Sequence, residues 1–484
     1  MKIKDLIKNI NILKRANFNE KTLDIDVKNI CDNTKSKLKN SVFVCINGFN
    51  FDSHKISSDF KDLGIKFVVA EKEIDTSLPY IIVNSTREVL GTLCDNFFCN
   101  PTKSFKLIGV IGTNGKTSTT YFIKQILELN KKKCCVIGTS GVFVNKKRLK
   151  ETLTTPDPIL LYSLFDLARK SKCDYVVMEI SAHAIKLKKV ANLVCDIVCF
   201  TNFSQDHLDF FKTMENYKQT KLSFFNEYNT KKAIINADDK VGIEICEKLK
   251  NNFKTFAIDS DADFKADNIE LSLSQSQFDL KINDCADKVK VNVPCLFNVY
   301  NILCAVSVCK ELGLEISPNL LQNLKPNKGR FDVFCLKNNR FVVIDYAHTP
   351  ESLKIVLESV RKLQKNCKII ALFGCPGNRD ETKRELMGQI ASKFCNKIYI
   401  TTDNPKFENP LIICEEIKRG TKDKGIVVES RKQAIKVAIK NLKENQVLCL
   451  IGKGTEDYQD INNKKIKYSD YTVALKCIKK LKKQ

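Results

Sequence analysis

A turn rich in small and polar residues, Gly112-Thr113-Asn114-Gly115-Lys116-Thr117, has the composition of a phosphate-binding loop. It follows an apolar run at 106–111 and precedes a stretch with helical periodicity at 118–127. Glycines let backbone N–H groups close around a phosphate, and a helix N-terminus favours an anion. Lys116 can reach terminal phosphates, and the Thr117 hydroxyl can ligate Mg²⁺. The pattern predicts an ATP site, although Val110 stands where the strict pattern has its first glycine.

Further polar groups stand where predicted strands end. Glu179 closes the apolar run 175–178, and a carboxylate in this position suits Mg²⁺, which prefers oxygen ligands. A capping role is the alternative for Glu179, and a hydrogen-bonded structural role is the alternative for each histidine taken singly. Sites in α/β sheets lie beyond the carboxyl ends of strands, so the shared position favours a functional site. The chain has four histidines, each beside other polar groups: His54, His183, His207 and His348.

Short β-type runs alternate with helical segments along the whole chain. This alternation predicts an α/β fold with mainly parallel sheets, and the alternating polar and apolar residues at 263–293 predict an added antiparallel patch. Pro101 and the segment 325–329 indicate two boundaries. We therefore predict three domains, at 1–103, 104–327 and 328–484. The predicted strands are 41–46, 65–70, 80–83, 134–137, 175–180, 197–201, 233–235, 341–344, 368–373, 397–401 and 447–451, with a helix at 86–98.

Composition narrows the class of protein. The chain has 484 residues, of which 43% are hydrophobic, and no apolar run approaches the roughly 20 residues that span a bilayer. The start lacks the features of a signal peptide, and the 21 cysteines show no paired metal-binding spacing, so we expect a cytoplasmic protein with reduced thiols. The net charge of +24 comes mostly from lysines spread along the chain, which favours a solvated surface over a nucleic-acid-binding face.

Nine motifs in a fixed order give this chain a family resemblance. It resembles the Mur ligases of peptidoglycan synthesis, in particular the branch of UDP-N-acetylmuramoyl-tripeptide synthetases. The resemblance extends through nearly the whole chain. It implies an N-terminal UDP-binding α/β domain, a central ATP-binding P-loop domain and a Rossmann-like C-terminal domain that binds the amino acid. The motifs are the phosphate loop, Thr154-Thr155-Pro-Asp, Glu179-Ile-Ser-Ala-His, Thr201-Asn-Phe-Ser-Gln-Asp-His-Leu-Asp, Phe297-Asn-Val-Tyr-Asn, Asp345-Tyr-Ala-His-Thr-Pro, Gly374-Cys-Pro-Gly-Asn-Arg-Asp, Asp403-Asn-Pro-Lys and Gly452-Lys-Gly-Thr-Glu.

The resemblance implies an ATP-dependent ligase that works through an acyl phosphate. Lys116, Lys221 and His207 would be catalytic, and Lys221 would react with CO₂ to form a carbamate. Mg²⁺ would be held by Thr117, Glu179, His207 and the carbamylated Lys221. The residues that would bind ATP are Gly112, Thr113, Asn114, Gly115, Lys116, Thr117, Ser118, Asn298, Arg330 and Asp345.

The resemblance also implies the substrates. Asn33 and the stretch 47–54 would face the uridine diphosphate, and Thr154, Thr155, Ser181 and Lys189 would hold the UDP-N-acetylmuramoyl-dipeptide. A pocket of seven residues would bind the amino acid: Arg379, Asp403, Asn404, Pro405, Lys406, Gly452 and Glu456. Lys406 stands where diaminopimelate-selecting enzymes have an arginine, and it keeps the positive charge that pairs with a distal carboxylate. The resemblance thus implies meso-diaminopimelate as substrate, with a monomeric enzyme and no nucleic acid or membrane span.

Departures from the family pattern keep alternatives open. Leu187 replaces a glutamine and Lys189 an arginine, so two substrate contacts change; Ala182, Gln205 and Thr455 replace a serine, an arginine and a histidine. L-Lysine is an alternative amino acid. A folylpolyglutamate synthase-like ligase shares the phosphate loop but normally lacks the N-terminal domain and the last two motifs. A basic P-loop ATPase acting on nucleic acid is the alternative from another class.

Overall fold

The computed structural model describes residues 1–36, 38–48, 51–150, 152–226, 229–283 and 285–481. The described chain divides into two compact units. The first contains Met1–Lys265 and Tyr300–Ile316, and the second contains Ala266–Val299 and the residues from Ser317 onward. The boundaries predicted for three domains stay a prediction, although one major sheet falls in each predicted range.

The first unit begins with a five-stranded sheet. Its order is β1-β5-β4-β3-β2, with parallel pairs throughout except for β1 against β5. Residues of β3 and β5 are all buried, which accounts for their apolar sequences. The elements are α1 (Ile3–Leu6), β1 (Lys14–Ala16), β2 (Asn29–Cys31), β3 (Ser41–Val44), β4 (Ile65–Ala70), β5 (Tyr80–Ile82) and α2 (Thr86–Phe97), with 3₁₀ turns at Glu20–Asp24, Ser53–Phe60 and Pro101–Ser104.

A larger sheet follows in the same unit, in the order β13-β12-β11-β6-β10-β7-β8-β9. It is parallel from β13 to β7 and ends in an antiparallel hairpin arrangement. The elements are β6 (Lys106–Ile111), α3 (Lys116–Leu129), β7 (Cys134–Gly138), β8 (Gly141–Val144), β9 (Lys147–Lys150), α4 (Pro158–Lys170), β10 (Tyr175–Glu179), α5 (Ala182–Lys186), β11 (Ile197–Phe200), α6 (Leu208–Phe211), α7 (Met214–Leu222), β12 (Ala233–Asn236), α8 (Lys240–Leu249) and β13 (Phe253–Ala257). The carboxyl ends of β10, β6 and β11 are neighbours at the centre of this sheet, which is where the predicted site residues follow each strand.

Two elements continue from the first unit into the second. They are β14 (Phe264–Leu271), whose first two residues pair with β13, and α9 (Leu296–Glu311), whose residues from Tyr300 belong to the first unit. The predicted antiparallel patch is confirmed for the hairpin of β15 (Ser276–Ile282) and β16 (Cys285–Val291). β14 joins this hairpin to the larger sheet, because it is the neighbour of β15 and its first two residues pair in parallel with β13.

The rest of the second unit is a six-stranded sheet of order β17-β18-β22-β19-β20-β21, parallel except for β17 against β18. Mainly parallel sheets with connecting helices confirm the predicted α/β class. The elements are α10 (Pro318–Leu321), β17 (Asp332–Leu336), β18 (Arg340–Asp345), α11 (Pro350–Leu363), β19 (Lys368–Phe373), α12 (Thr382–Phe394), β20 (Lys397–Ile400), α13 (Pro410–Gly420), β21 (Gly425–Val427), α14 (Arg431–Lys440), β22 (Gln446–Ile451), β23 (Tyr458–Ile461), β24 (Lys464–Lys467) and α15 (Asp470–Leu481), with a 3₁₀ turn at Lys422–Lys424.

Two features bear on the compositional predictions. Within the described ranges, no helix combines the length and the apolar character that crossing a membrane requires. All 21 cysteines belong to the described part of the chain and carry free thiols, and most of them are buried. The cysteines therefore pack as small apolar side chains, as expected in a reducing compartment.

Candidate functional site

The phosphate loop connects β6 to α3 and is closely packed. Gly112 has φ 154°, and a Cβ there would lie 1.9 Å from Thr201 Oγ1. Gly115 has φ 85°, and a Cβ there would lie 2.4 Å from Asn301 Oδ1. Both positions therefore require glycine, one because of crowding and the other because of crowding and a left-handed backbone. α3 begins directly after this turn, so its first N–H groups face the loop.

The residues after β11 hold the loop in this shape. Thr201 Oγ1 donates to the Asn114 carbonyl at 2.6 Å, and the Asn114 N–H donates to Asn202 Oδ1 at 2.9 Å. Lys116 Nζ donates to the carbonyls of Gly112 and Thr113 at 2.9 and 2.8 Å. The ammonium group thus lies directly over the loop that is predicted to bind phosphate.

A buried carboxylate lies beside the loop at the end of β10. Glu179 is 1% exposed, and its Oε2 accepts hydrogen bonds from the hydroxyls of Thr117 at 3.1 Å and Thr139 at 3.2 Å. Its Oε1 accepts from the Thr139 N–H at 2.8 Å, and a Cβ at Gly138 would lie 2.2 Å from that atom. This set of oxygens fits Mg²⁺, which accepts one or two protein ligands and keeps several waters. No group of three His, Cys, Asp or Glu residues that could hold a metal occurs within the described ranges.

The residues predicted to hold the dipeptide gather at the same strand end. Thr155 Oγ1 donates to the Glu179 carbonyl at 2.9 Å and accepts from the Ser181 N–H at 2.9 Å. Thr154 Oγ1 lies 3.0 Å from Thr139 Oγ1, and Ser181 caps α5 by accepting from the Ala184 N–H. Thr154 and Thr155 are therefore joined to Glu179 through hydroxyl groups, Thr155 at the backbone carbonyl and Thr154 at the carboxylate by way of Thr139.

Two histidines from the segments that follow β10 and β11 pack together. The rings of His183 and His207 meet edge to face with centroids 4.6 Å apart. Burial lowers the pKa of His183, and the neighbouring His207 lowers it further. Burial also lowers the pKa of His207, with partial opposition from Asp206. Both shifts favour the neutral imidazole, the form in which a nitrogen lone pair can ligate a metal.

Lys221 on α7 is a buried lysine beside the loop. It is 1% exposed, and its Nζ lies 4.5 Å from the centroid of the Tyr217 ring. Among the residues that the structure describes, no carboxylate lies within ion-pair distance of this nitrogen. Burial lowers the pKa of Lys221 well below its ordinary value, and the charge of Lys116 lowers it further. The neutral amine is thereby favoured.

The first unit also contains an open cleft of about 750 Å³. It is lined by Asn47, Gly48, Arg87, Lys186, Leu187, Asp209, Phe210, Phe211, Lys212 and Asn216. A smaller cavity shares Arg87 and Leu187 with it and adds Asp32 and Lys189. Lys189 Nζ forms an ion pair with Asp157 Oδ1 at 2.7 Å. Asn33 lies in the turn after Asp32 and accepts from the Lys35 N–H, and residues 49 and 50 of the predicted stretch 47–54 lie outside the described residues.

In the second unit, the three residues predicted to bind ATP are Asp345 at the end of β18, Asn298 on α9 and Arg330 in the turn before β17. Asp345 is buried at the end of β18 and accepts from the N–H groups of Phe331 at 2.6 Å and Ala347 at 2.7 Å. Burial raises the pKa of Asp345, with opposition from Arg330. The Arg330 guanidinium lies 4.3 Å from the centroid of the Tyr346 ring. Asn298 on α9 donates to the Pro294 carbonyl at 2.8 Å.

The predicted amino-acid pocket is a hydrogen-bonded cluster at the ends of β20 and β22. Lys453 is 0% exposed, and its Nζ donates to Glu456 Oε2 at 2.8 Å, Asn404 Oδ1 at 3.0 Å and Asp403 Oδ1 at 3.2 Å. Asn404 Nδ2 donates to Glu456 Oε2 at 3.1 Å. Gly452 has φ 114°, and a Cβ there would lie 2.9 Å from Asp403 Oδ2. The motifs Asp403-Asn-Pro-Lys and Gly452-Lys-Gly-Thr-Glu are thus in direct contact.

The loops that carry Arg379 and Lys406 pack against each other. The Gly377 N–H donates to the Asn404 carbonyl at 2.9 Å, and a Cβ at Gly377 would lie 2.0 Å from the Pro405 carbonyl oxygen. The Lys406 N–H donates to the Asp460 carbonyl at 3.0 Å. Arg379 is exposed. All seven residues predicted for the amino-acid pocket therefore lie on three neighbouring loops.

Comparison with known proteins identifies the family. The family description of the Mur ligase middle domain matches residues 110–309, and that of the Mur ligase, glutamate ligase domain matches residues 329–454. The UDP-N-acetylmuramoyl-L-alanyl-D-glutamate--2,6-diaminopimelate ligase 1 of Clostridium acetobutylicum is 37% identical over 467 residues, covering 95% of this chain and 96% of that protein. The chain belongs to the Mur ligase family. The corresponding ligase of Bacillus velezensis is 36% identical, covering 95% of this Mur ligase and 96% of the relative.

Solved structures show the same fold. A structure of UDP-N-acetylmuramoyl-L-alanyl-D-glutamate--2,6-diaminopimelate ligase has a TM-score of 0.71 at 23% identity and covers 99% of both chains. The folylpolyglutamate synthase of Mycobacterium tuberculosis has a TM-score of 0.62 at 14% identity, with 75% of this Mur ligase and 92% of the synthase covered. The folate enzyme thus shares part of the fold, whereas the diaminopimelate ligases match along nearly the whole chain.

Some residues of this Mur ligase site are not predicted by the sequence pattern. Lys453 belongs to the last motif but has no role assigned from sequence, and Thr139, Asn202 and Asn301 are not among the predicted site residues. Lys453 stands between two glycines directly after the apolar run 447–451, and no local pattern shows that its side chain is buried. Asn301 contacts the loop from a helix nearly 200 residues later, and no local pattern predicts such a contact.

Proposed function

We propose that this Mur ligase joins meso-diaminopimelate to the D-glutamate carboxylate of UDP-N-acetylmuramoyl-L-alanyl-D-glutamate, at the expense of ATP. The proposal rests above all on the phosphate loop with Thr117 bonded to buried Glu179, in a chain whose relatives of that activity match along 96% of their length. A carboxylate and a polyphosphate repel each other, so the reaction needs a site that neutralises charge. Lys116 and the N–H groups of the loop supply the positive charge that this neutralisation requires.

The residues of the first unit would have separate roles in phosphate binding, metal binding and substrate positioning. Lys116 and the N–H groups at the start of α3 would bind the terminal phosphates and stabilise charge that develops as the carboxylate becomes an acyl phosphate. Mg²⁺ would be held by Thr117 and Glu179, with His207 as a further candidate ligand, and would supply additional positive charge. Thr154, Thr155 and Ser181 would position the dipeptide, because they are hydrogen-bonded to the same strand end.

The choice of amino acid follows from charge. Lys406 would pair with the distal carboxylate of diaminopimelate, and Glu456 would receive its distal ammonium. Phosphate release with the UDP-dipeptide and meso-diaminopimelate tests this directly, with L-lysine as the competing substrate. Release with L-lysine in preference would retain the ligase and refute the assignment of Lys406. A lack of release with both would refute the proposed function.

A second proposal concerns Lys221. We propose that it carries a carbamate formed with CO₂, because its buried position lowers its pKa and carbamylation requires the neutral amine. The carbamate would be a further anionic ligand for Mg²⁺. Lys221→Ala should lose activity, and short carboxylic acids added to the medium should restore part of it. Unchanged activity of the parent enzyme after rigorous removal of CO₂ would refute carbamylation.

The open cleft of the first unit suits the nucleotide-sugar end of the substrate. Its lining includes Arg87, Lys186 and Lys212, which would attract a diphosphate, together with two phenylalanines. Asn33 and the residues 47–54 would face the uridine part. We further propose that the enzyme acts as a monomer in the cytoplasm, in keeping with its free thiols.

A further inference from the structure

Lys453 is a buried cation in the predicted amino-acid pocket. Its three hydrogen bonds, to Asp403, Asn404 and Glu456, equal the donor capacity of an ammonium group. A lysine is almost never fully buried unless it is paired, and here the partners are residues from two separate loops. The position of Lys453 therefore links the turn after β20 to the turn after β22.

The contacts of Lys453 fix the orientation of two side chains. Glu456 Oε2 accepts from both Lys453 and Asn404, whereas Oε1 has the Tyr346 hydroxyl at the longer distance of 3.5 Å. Asn404 Oδ1 accepts from Lys453 and from the Asp460 N–H at 3.0 Å, which determines which way its amide group points. Lys453 thus leaves Glu456 Oε1 as the carboxylate oxygen best able to accept a hydrogen bond from a ligand.

The charges in the cluster do not cancel. Lys453 brings one positive charge, and Asp403 and Glu456 bring two negative charges, so the formal sum is −1. Around Glu456, which is partly exposed, this negative sum favours an ammonium group, whereas the cations Lys406 and Arg379 lie on the neighbouring loops. Without Lys453, two carboxylates would share a largely buried site, and mutual repulsion would separate them or protonate one.

Hydrogen bonds to backbone carbonyls fix the chain on both sides of Lys453. Arg431 is buried, forms an ion pair with Asp470 at 2.6 Å, and donates to the Ile451 carbonyl at 2.8 Å. The Glu456 N–H donates to the Lys453 carbonyl at 2.8 Å, which closes the turn. Lys453 therefore acts from a rigid support and can position its partners accurately.

We propose that Lys453 is a positioning residue that sets the affinity for the amino-acid substrate by presenting Glu456 Oε1 to an ammonium group of that substrate. The inference rests on the proposed function, because it concerns the amino acid of that reaction. Lys453 contacts neither the reacting carboxylate nor phosphate in this account. Its loss should therefore weaken binding of the amino acid more than it slows the chemical step.

The test compares Lys453→Met with Lys453→Arg in the full-length enzyme, using phosphate release. For Lys453→Met we expect the KM for meso-diaminopimelate to rise about 30-fold or more, as is typical when a buried charge pair loses one partner. The kcat and the KM values for ATP and the UDP-dipeptide should change little. Arginine keeps the charge and should restore part of the affinity. Lys436→Met, at an exposed position on α14, is the matched control.

A double variant keeps the test decisive if Lys453→Met folds poorly. Lys453→Met with Glu456→Gln removes one charge of each sign and so avoids an unbalanced pair of carboxylates. If Lys453 acts through Glu456, the KM of the double variant should not exceed that of the weaker-binding single variant. Additive effects, an equal rise in all three KM values, or an unchanged KM in Lys453→Met would overturn the inference. A parent enzyme inactive with meso-diaminopimelate would overturn the proposed function and the inference with it.

Discussion

At the scale of single residues, burial determines what each lysine of the site can do. Lys116 keeps its ammonium on loop carbonyls, Lys453 has three polar partners, and Lys221 faces an aromatic ring. An ammonium with hydrogen-bond acceptors stays charged, whereas a buried one without a carboxylate partner loses its proton more easily. These differences are the basis for proposing three different tasks: phosphate binding for Lys116, positioning for Lys453 and carbamate formation for Lys221.

Removal of the Lys116 ammonium should abolish most ligation without unfolding the enzyme. For Lys116→Ala we expect a fall in kcat/KM of about 100- to 1000-fold, because a preorganised positive group at the phosphates is lost. Circular dichroism and the thermal midpoint should match those of the parent. Lys132→Ala, an exposed lysine just after α3, is the control and should keep full activity. Substantial activity in Lys116→Ala would contradict the assignment of the phosphate loop.

Residue types and spacing were enough to propose much of the candidate site. The loop, Glu179 and the threonines occur as short motifs that follow predicted strands, so their chemistry could be inferred before their contacts were known. Burial of Lys453 could not be inferred, because exposure depends on which loops pack together. The low pKa of Lys221 has the same origin, since burial is a property of the fold.

At the scale of elements, the close packing of the loop between β6 and α3 can be tested by substitution of its glycines. Gly115→Ala should lower both stability and ATP affinity, because alanine at φ 85° is strained and its Cβ would overlap Asn301. Gly313→Ala is a matched control, since Gly313 also has a positive φ, of 74°, but a Cβ there would have no neighbouring atom within 4 Å. We expect about 1–2 kcal/mol of strain in both variants and a further loss in Gly115→Ala.

The measurements are denaturant unfolding and ATP titration of both variants. A greater loss of stability in Gly115→Ala than in Gly313→Ala would support the contact with Asn301. Equal losses, together with unchanged ATP affinity in Gly115→Ala, would show that the close approach of α9 to the loop does not matter.

A second element-scale prediction concerns the connection between β13, β12 and α9. Asp238 accepts from the N–H groups of Ile258 and Ser260 at 2.6 and 2.7 Å and from the Tyr300 hydroxyl at 2.7 Å. Burial opposes ionisation, but these hydrogen bonds outweigh it and lower the pKa of Asp238 to about 2. The ionised form therefore stabilises the folded state above the ordinary carboxyl pKa of 3.8.

Asp238→Asn should therefore destabilise the enzyme at neutral pH. Because the carboxylate is partly exposed, we expect the charge-dependent part to be about 1 kcal/mol. That part should be present above pH 4 and should disappear as pH falls from about 4 to about 2, through the folded-state pKa. Denaturant unfolding of parent and variant across this range measures it. A difference independent of pH would show that the hydrogen bonds do not depend on the charge.

At the scale of the whole molecule, alternation of strands and helices predicted the class of fold and most strand positions. The order of strands in each sheet could not be predicted, because it depends on long-range packing. β14 illustrates this, since it lies between β13 and β15 and local alternation of residue types does not show which strands are its neighbours. The two compact units likewise reflect contacts between distant segments and not any local composition.

The net charge of +24 gives a prediction of its own. Lysines spread over a surface bind polyanions weakly and without a defined site, and such binding weakens steeply with salt. We expect nucleic acid to leave ATP turnover unchanged at physiological ionic strength, with or without the UDP-dipeptide. Stimulation of ATP hydrolysis by nucleic acid alone would favour the ATPase alternative.

The most direct measurement is phosphate release from ATP with UDP-N-acetylmuramoyl-L-alanyl-D-glutamate and either meso-diaminopimelate or L-lysine. We expect release that requires the UDP-dipeptide and meso-diaminopimelate together, with little release when L-lysine is the amino acid. Release with L-lysine in preference would contradict the role of Lys406. No release with either amino acid would contradict the central claim that this chain is the tripeptide-forming ligase.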